Sequence, residues 1–481
     1  MDHQPVTPMR IGTELVDHGR DEDRIIVVRS PYDGHEVGRV PRGTEADLDA
    51  AVAAAVARQN GEPLPAHERA AILDRAATIL GRDDQRERFA RLIAQEAAKP
   101  IKTARIEAAR AADTFRFAAT TARTLTGTMV PLDASVSGQG KLGFVLRVPI
   151  GVVAAISPFN FPLNLVAHKV APAIAAGCAV VLKPASATPL TALALAAVLI
   201  DECGLPPGWL NVVTCSGATA EHLVTHPDVA FISFTGSPEV GWGIKAKAPR
   251  KKVGLELGNN APVIIEPDAD LDLVAQKISV AGYSHAGQSC ISVQRVYVHD
   301  AVLDTFVGKL VTAVESLKVG DPLDETTDVS SLISVAETER VERAIAEAVN
   351  GGASVACGGN RTANGVLIPT VLVGVLPDME VCRTEIFGPV VGVQGYSTFD
   401  EALELADDTR YGLQAGVFTN DLEKALRAAR RLSFGGVLIN EVPTWRADQM
   451  PYGGVRDSGN TREGPAYSAL EMTETRLVVI S

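Results

Sequence analysis

An α/β fold built on a parallel sheet is predicted by three features of the sequence. From Gly151 onward, short apolar β-branched runs alternate with segments of helical periodicity. Pro, Gly, Ser, Asn and Lys supply most of the loops that follow those runs, and 481 residues with 46% hydrophobic and 21% charged side chains are enough for two or three such units.

Residues 1–42 read as a leading arm, with strand-like pieces at 24–28 and 36–40 around the turn Pro31-Tyr32-Asp33-Gly34. Four alanine-rich segments follow, at 45–58, 67–80, 85–98 and 102–123, with the period of packing helices. Arg110 and Arg116 lie on the last of them; for each taken singly, a solvated face or an ion pair is the plainer reading. Residues 124–142 break the pattern with Gly127, Pro131, Gly138 and Gly140, as a hairpin or crossover leaving the domain would.

Strands are expected at 151–156, 179–182, 210–213 and 229–234, with helices at 163–176, 189–203 and 219–224, a doubly wound arrangement of the nucleotide-binding type. Ligands on such sheets bind beyond the carboxyl ends of the strands, so the loops 157–162, 183–186, 215–217 and 235–237 should carry the site. Residues 241–246 match the glycine-rich dinucleotide fingerprint in form but fall inside a helix. Thr235-Gly236-Ser237, a glycine turn opening a helix, is the better phosphate-side candidate.

A second alternating unit runs from 253 to about 455, with strands at 390–393, 415–418 and 437–439, and a last strand at 473–480. Glu256 stands in an apolar run, where a carboxylate is costly unless paired or functional, and the two readings balance. Cys290 ends the polar turn Gly287-Gln288-Ser289-Cys290 between an amphipathic segment, 271–285, and a β-branched run, 291–298. Such a turn can expose a reactive thiol, but from the turn alone a small apolar filler has the better claim.

A net charge of −13 with no lysine or arginine run argues against nucleic acid as a partner. The six cysteines form no CxxC pair, and His222 and His226, in HLVTH, lack the glutamate of a zinc-binding HExxH, so neither a disulfide framework nor a metal site is expected. Residues 1–10 lack the apolar core of a signal peptide and the apolar run 190–200 is too short to span a bilayer, so a cytoplasmic protein free of membrane is expected.

Seven stretches in order, PFNFPLNL, LKPASATPL, FTGSPEVG, LELG, GQSC, EIFGP and MPYGGVRDSG, resemble the aldehyde dehydrogenase superfamily over nearly the whole chain. The resemblance implies a Rossmann-like cofactor-binding domain (1–123 and 143–252), an α/β catalytic domain (253–455) and a small β bridging element (124–142 and 456–481) that joins subunits into a homodimer or homotetramer. It makes Cys290 the nucleophile, gives Asn160 and the Cys290 N–H the oxyanion, and makes Glu256 the base that hydrolyses the thioester.

For the cofactor, NAD or NADP, the resemblance implies Ser157, Phe159, Lys183, Ser186, Gly236, Ser237, Gly258, Glu385 and Phe387. For the substrate it implies Arg110, Phe161, Ser289, Ile291 and Arg446, and the segment Pro443 to Tyr452 is similar to the lactaldehyde and non-phosphorylating glyceraldehyde-3-phosphate branch. A small hydroxylated or anionic aldehyde is therefore expected. Three departures stand out: Ser186 replaces a usual glutamate, which leaves room for a 2′-phosphate; Cys215 replaces a usual glycine; and Ser289 stands where phosphate-using relatives often carry arginine. A coenzyme A-acylating enzyme is the runner-up, disfavoured by Glu256, and a non-catalytic binding protein is disfavoured by the set Asn160, Glu256 and Cys290. A cysteine hydrolase with His285 as base is disfavoured by spacing.

Overall fold

The computed structural model describes residues 5–19 and 22–481, so the stretch read for a signal peptide lies in part outside it. Two seven-stranded sheets carry the α/β architecture that the alternation predicts. In the first, the order is Lys252–Glu256, Val229–Thr235, Val152–Ile156, Val180–Lys183, Leu210–Val212, Met9–Ile11 and Glu14–Val16. The first five strands are parallel, and the leading arm adds its two short strands antiparallel at the edge. Every residue of Val152–Ile156 is buried, as expected for a parallel strand covered by helices on both faces.

Strand order reverses at Val152–Ile156: the chain goes outward through Val180–Lys183 and Leu210–Val212, then returns to the other side with Val229–Thr235. Such a reversal opens a crevice at the carboxyl ends of the strands, and Ile156, Lys183 and Thr235 all stand at that end. Lys252–Glu256 pairs with Val229–Thr235, so Glu256 ends the edge strand of this first sheet.

The second sheet runs Ser354–Cys357, Thr370–Val373, Val390–Tyr396, Val293–His299, Ala261–Ile265, Gln414–Phe418 and Gly436–Ile439, parallel except at the Ser354–Cys357 edge. The strand Val293–His299 is central, and Cys290 lies just before it. A third sheet pairs Leu142–Pro149 with Thr473–Ile480 along their full length and with Met129–Val130; the pairing therefore runs past residue 142. No helix among the described residues is long and apolar enough to cross a membrane.

The alanine-rich segments are the helices Glu45–Asn60, Ala66–Leu80, Asp83–Ala97 and Ile101–Thr124, and two of their acidic residues hold up the crevice. Glu96 accepts from the Leu190 and Thr191 N–H groups at 2.9 and 3.0 Å, capping the helix Pro189–Ala197. Glu107 accepts from Leu163 and Asn164 at the start of Asn164–Ala176 and pairs with buried Lys99. Free N–H groups at helix starts need such acceptors when buried.

Candidate active site

The segment that carries Cys290 is neither helix nor strand. The helix Leu271–Ala281 stops four residues short of the amphipathic segment 271–285, and His285, Ala286 and Gly287 take left-handed backbone at φ 51, 54 and 71°. A Cβ on Gly287 would lie 2.1 Å from the Gly388 carbonyl oxygen, so only glycine permits that approach. Gln288, fully buried, pins the turn: its Oε1 accepts from Ile333 N at 2.9 Å and its Nε2 donates to His285 O at 3.1 Å.

Cys290 is half-buried at the end of this turn, against Ile291, Leu413 and Tyr452. Burial pushes its thiol up to about 12, against the hydrogen bond with Tyr452, whose Oη lies 2.9 Å from Sγ. Asn160 Nδ2 donates to Gln288 O at 3.0 Å, which brings the amide beside the nucleophile, and its Oδ1 is buried without a partner. Among the described residues, one amide hydrogen of Asn160 and the Cys290 backbone N–H have no acceptor, so both are available to an oxyanion.

Glu256 approaches the same space from the first sheet. Both of its carboxylate oxygens are buried with no hydrogen-bond partner. Burial, then the charge of Glu463, raises its proton affinity well above the ordinary carboxylate range, while Arg446 and Lys169 oppose the shift. Among the described residues no ion pair or hydrogen bond satisfies it.

The crevice beyond the first sheet is a cleft of about 590 Å³, lined among others by Ser157, Phe159, Lys183, Ser186 and Thr235. Lys183 is buried there with no acceptor, and burial lowers its pKa. Ser186 Oγ donates to Cys215 O at 3.0 Å. Ser237 caps the helix Pro238–Lys247, and Gly236 gives up a side chain that would strike the Phe234 ring at 2.5 Å. Glu385 accepts from Asn259 N at 3.0 Å, and a Cβ on Gly258 would meet its Oε2 at 2.2 Å. Burial raises its carboxyl to about 8. Phe387 meets Phe159 edge to face, with ring centres 6.0 Å apart.

These features fit a dinucleotide: a buried lysine with no acceptor among the described residues, a glycine turn at a helix start and the buried carboxylate of Glu385. Among the described residues no group of three or more His, Cys, Asp or Glu side chains is arranged to hold a metal ion.

The residues expected to face substrate divide into two groups. Phe161 lies over buried Lys99, whose Nζ is 3.6 Å from the ring centre, while Ser289 and Ile291 flank Cys290. The two arginines already have carboxylate partners. Arg110 donates to both oxygens of Asp448, and Arg446 donates from Nη2 to Glu463 at 2.8 Å with its Nε buried and unpartnered.

Around them lies a buried charge network that motif reading did not identify. Asp448 lies 2.9 Å from His168 Nε2 and accepts from Asn164 Nδ2 at 3.1 Å. Lys169 donates to Thr235 Oγ1 at 2.6 Å and stands 3.7 Å from Glu463. Burial would raise the Glu463 carboxyl, but Arg446, His168 and Lys169 outweigh it and hold it low. His168 and Lys169 carried a readable signal, since they interrupt an apolar run as Glu256 does; Asp448 and Glu463 carried none. His285 is buried with both ring nitrogens unpartnered, and burial drives its pKa well down; the sulfur's contact is with Tyr452.

Comparison with known proteins shows the family. The pattern of the family described as "Aldehyde dehydrogenase family" matches residues 18–478. The chain is 45% identical over 455 residues to a 3-sulfolactaldehyde dehydrogenase of Priestia megaterium, covering 94% of each chain. It superposes on aldehyde dehydrogenase 21 of Physcomitrella patens, solved with the reaction product succinate, at a TM-score of 0.95, with 40% identity over 99% of this chain and 98% of that one. A glyceraldehyde-3-phosphate dehydrogenase of Methanocaldococcus jannaschii complexed with NADP gives a TM-score of 0.90 and 38% identity over 95% and 99%. The chain belongs to the aldehyde dehydrogenase family of oxidoreductases.

Proposed function

We propose that this protein oxidises a small hydroxylated or anionic aldehyde to the carboxylic acid, with NAD or NADP as the oxidant. The observation that carries the reading is the meeting of three groups: the Cys290 sulfur, the Asn160 amide held against the Cys290 turn, and the carboxylate of Glu256, which has no hydrogen-bond partner among the described residues and whose charge acts on the sulfur.

In this reading the Cys290 sulfur attacks the aldehyde carbon, and the oxyanion accepts hydrogen bonds from Asn160 Nδ2 and the Cys290 N–H. The bound dinucleotide accepts the hydride that leaves the tetrahedral adduct. Glu256 then takes a proton from the water that attacks the thioester on Cys290, and its raised proton affinity suits it to that work. Lys183, Ser186, the turn at Gly236 and Ser237, Gly258 and Glu385 hold the cofactor, with Ser157, Phe159 and Phe387 along the cleft. Ser186 carries no charge to repel a 2′-phosphate, which supports use of NADP.

Phe161, Ser289, Ile291, Arg110 and Arg446 are proposed to surround the substrate. An anionic group is supported by the unpartnered Arg446 Nε and by relatives named for sulfolactaldehyde and solved with succinate. The proposed working parts follow the three larger sheets, and the chain passes from the first to the second between Glu256 and Ala261, a few residues beyond the division at 252. Leu146, Leu477 and Val479 are exposed on the third sheet, which supports a cytoplasmic homodimer or homotetramer joined there, testable by light scattering.

The test is reduced-nicotinamide absorbance with lactaldehyde, 3-sulfolactaldehyde, succinate semialdehyde, glyceraldehyde 3-phosphate and phosphonoacetaldehyde, each with NAD and NADP. Turnover that disappears in Cys290→Ala is expected. Release of acyl-coenzyme A without free acid would instead select the acylating alternative.

A further inference from the structure

The tyrosine of the MPYGG segment stands against the nucleophile. Tyr452 Oη lies 2.9 Å from Cys290 Sγ, and among the described residues that hydroxyl has no other hydrogen-bond partner. Its ring is buried with Ile291 and Leu413, and the residue is 2% exposed.

Three contacts fix the ring. The backbone of Tyr452 is tied to that of Glu463 in an isolated antiparallel bridge, with N–H to carbonyl distances of 3.0 and 2.5 Å. The Glu463 carboxylate accepts from Arg446 Nη2 at 2.8 Å. The Arg446 guanidinium in turn lies 3.8 Å from the centre of the Tyr452 ring. Backbone, carboxylate, guanidinium and ring thus form a closed loop whose one outward group is the hydroxyl aimed at sulfur.

We propose that Tyr452 is a further catalytic residue, whose O–H donates to the Cys290 sulfur and favours the thiolate that attacks the aldehyde. This rests on the proposed role of Cys290. A hydrogen bond donated to a charged acceptor is stronger than one to its neutral form, so the contact favours ionised sulfur. The cation over the ring face makes the phenol a better donor. On ionisation the thiol proton is released to water, and the phenol keeps its own.

Besides burial, the charged groups facing the sulfur are Glu385 and Glu256, which oppose the thiolate, and Arg446, which favours it. Arg446 and Glu256 also face the Tyr452 hydroxyl. Among the described residues, Tyr452 is the one neutral donor in contact with the sulfur.

The experiment is the pH dependence of iodoacetamide alkylation at Cys290, followed by peptide mass spectrometry, in wild type and Tyr452→Phe. The variant keeps the ring and its stacking. The expected result is an apparent Cys290 pKa raised by about one unit, read as about tenfold slower alkylation at every pH below both values. An unchanged pKa, or faster alkylation, overturns the proposal, since a tyrosine that merely covers the sulfur would slow access. Should Tyr452→Phe fail to fold, Tyr452→3-fluorotyrosine, a stronger donor of nearly the same shape, must lower the Cys290 pKa; no change there overturns it equally. Alkylation needs neither aldehyde nor dinucleotide. A wild type that shows the tyrosine effect but oxidises no aldehyde would count against the proposed function alone.

Discussion

Arg110 donates from Nε and Nη2 to the two carboxylate oxygens of Asp448, at 3.1 and 2.8 Å. The pair joins the helix Ile101–Thr124 to the segment that carries Arg446 and Tyr452, across more than three hundred residues of sequence. Arg110→Ala leaves the buried carboxylate with only Asn164 and His168. A loss of roughly 1–3 kcal/mol is expected, read as a lower urea midpoint at unchanged slope. Burial would raise the Asp448 carboxyl, but His168 and Arg110 outweigh it and depress its pKa. Its stabilisation is therefore present above the unfolded value of ~3.9 and is lost as pH falls through the lower folded value.

Asn160 sits where an oxyanion donor is needed, and Asn160→Ala removes that donor without touching the sulfur. Turnover should fall ~10²–10³-fold. Cys290 alkylation should persist, which separates loss of the oxyanion contact from loss of the nucleophile.

Glu256 trades stability for function. Its folded pKa is raised, so its contribution to stability is full below the unfolded value of ~4.3 and is lost as pH rises through the folded one. Glu256→Gln should then melt higher than wild type at pH 8, the difference closing toward pH 4, while turnover falls ~10²–10⁴-fold. Wild-type turnover should rise with pH well above the ordinary glutamate range. A profile already flat at pH 5 would count against Glu256 as the base.

Glu96 is far from the chemistry, yet it caps the helix that follows Lys183 and Ser186. Glu96→Ala strands two buried N–H groups and should cost about 2–4 kcal/mol in denaturant unfolding.

Ser186 lines the cleft beside Lys183. Ser186→Glu places a negative charge where a 2′-phosphate would sit, and should shift the ratio of kcat/KM for NADP over NAD downward by ~10–100-fold.

Much of this was legible in the sequence because apolar period carries the strands and helices of both sheets. The tail strand Thr473–Ile480 and the burial of Val152–Ile156 follow from alternation and from continuous apolar runs. The loops at strand ends pointed to Lys183 and Ser237 for a physical reason, the crevice of a parallel sheet. The short strands Met9–Ile11 and Glu14–Val16 were not legible, since three residues set no period. Nor was the left-handed turn at His285 and Ala286, where neither residue favours positive φ and tertiary contacts impose it. Partnerships such as Arg110 with Asp448 join distant positions, and one sequence holds no record of that. For the same reason an ion pair could be expected for Arg110, but the carboxylates that hold Arg110 and Arg446 could not be named.

The most direct measurement is the intact mass of Glu256→Gln, quenched in acid seconds after mixing with the best aldehyde and dinucleotide, followed by peptide mapping. With its base removed, the enzyme should carry one acyl group per chain, on the peptide containing Cys290. Wild-type turnover of that aldehyde together with no adduct on the variant, or an adduct on any other residue, would contradict nucleophilic attack by Cys290 and hydrolysis by Glu256.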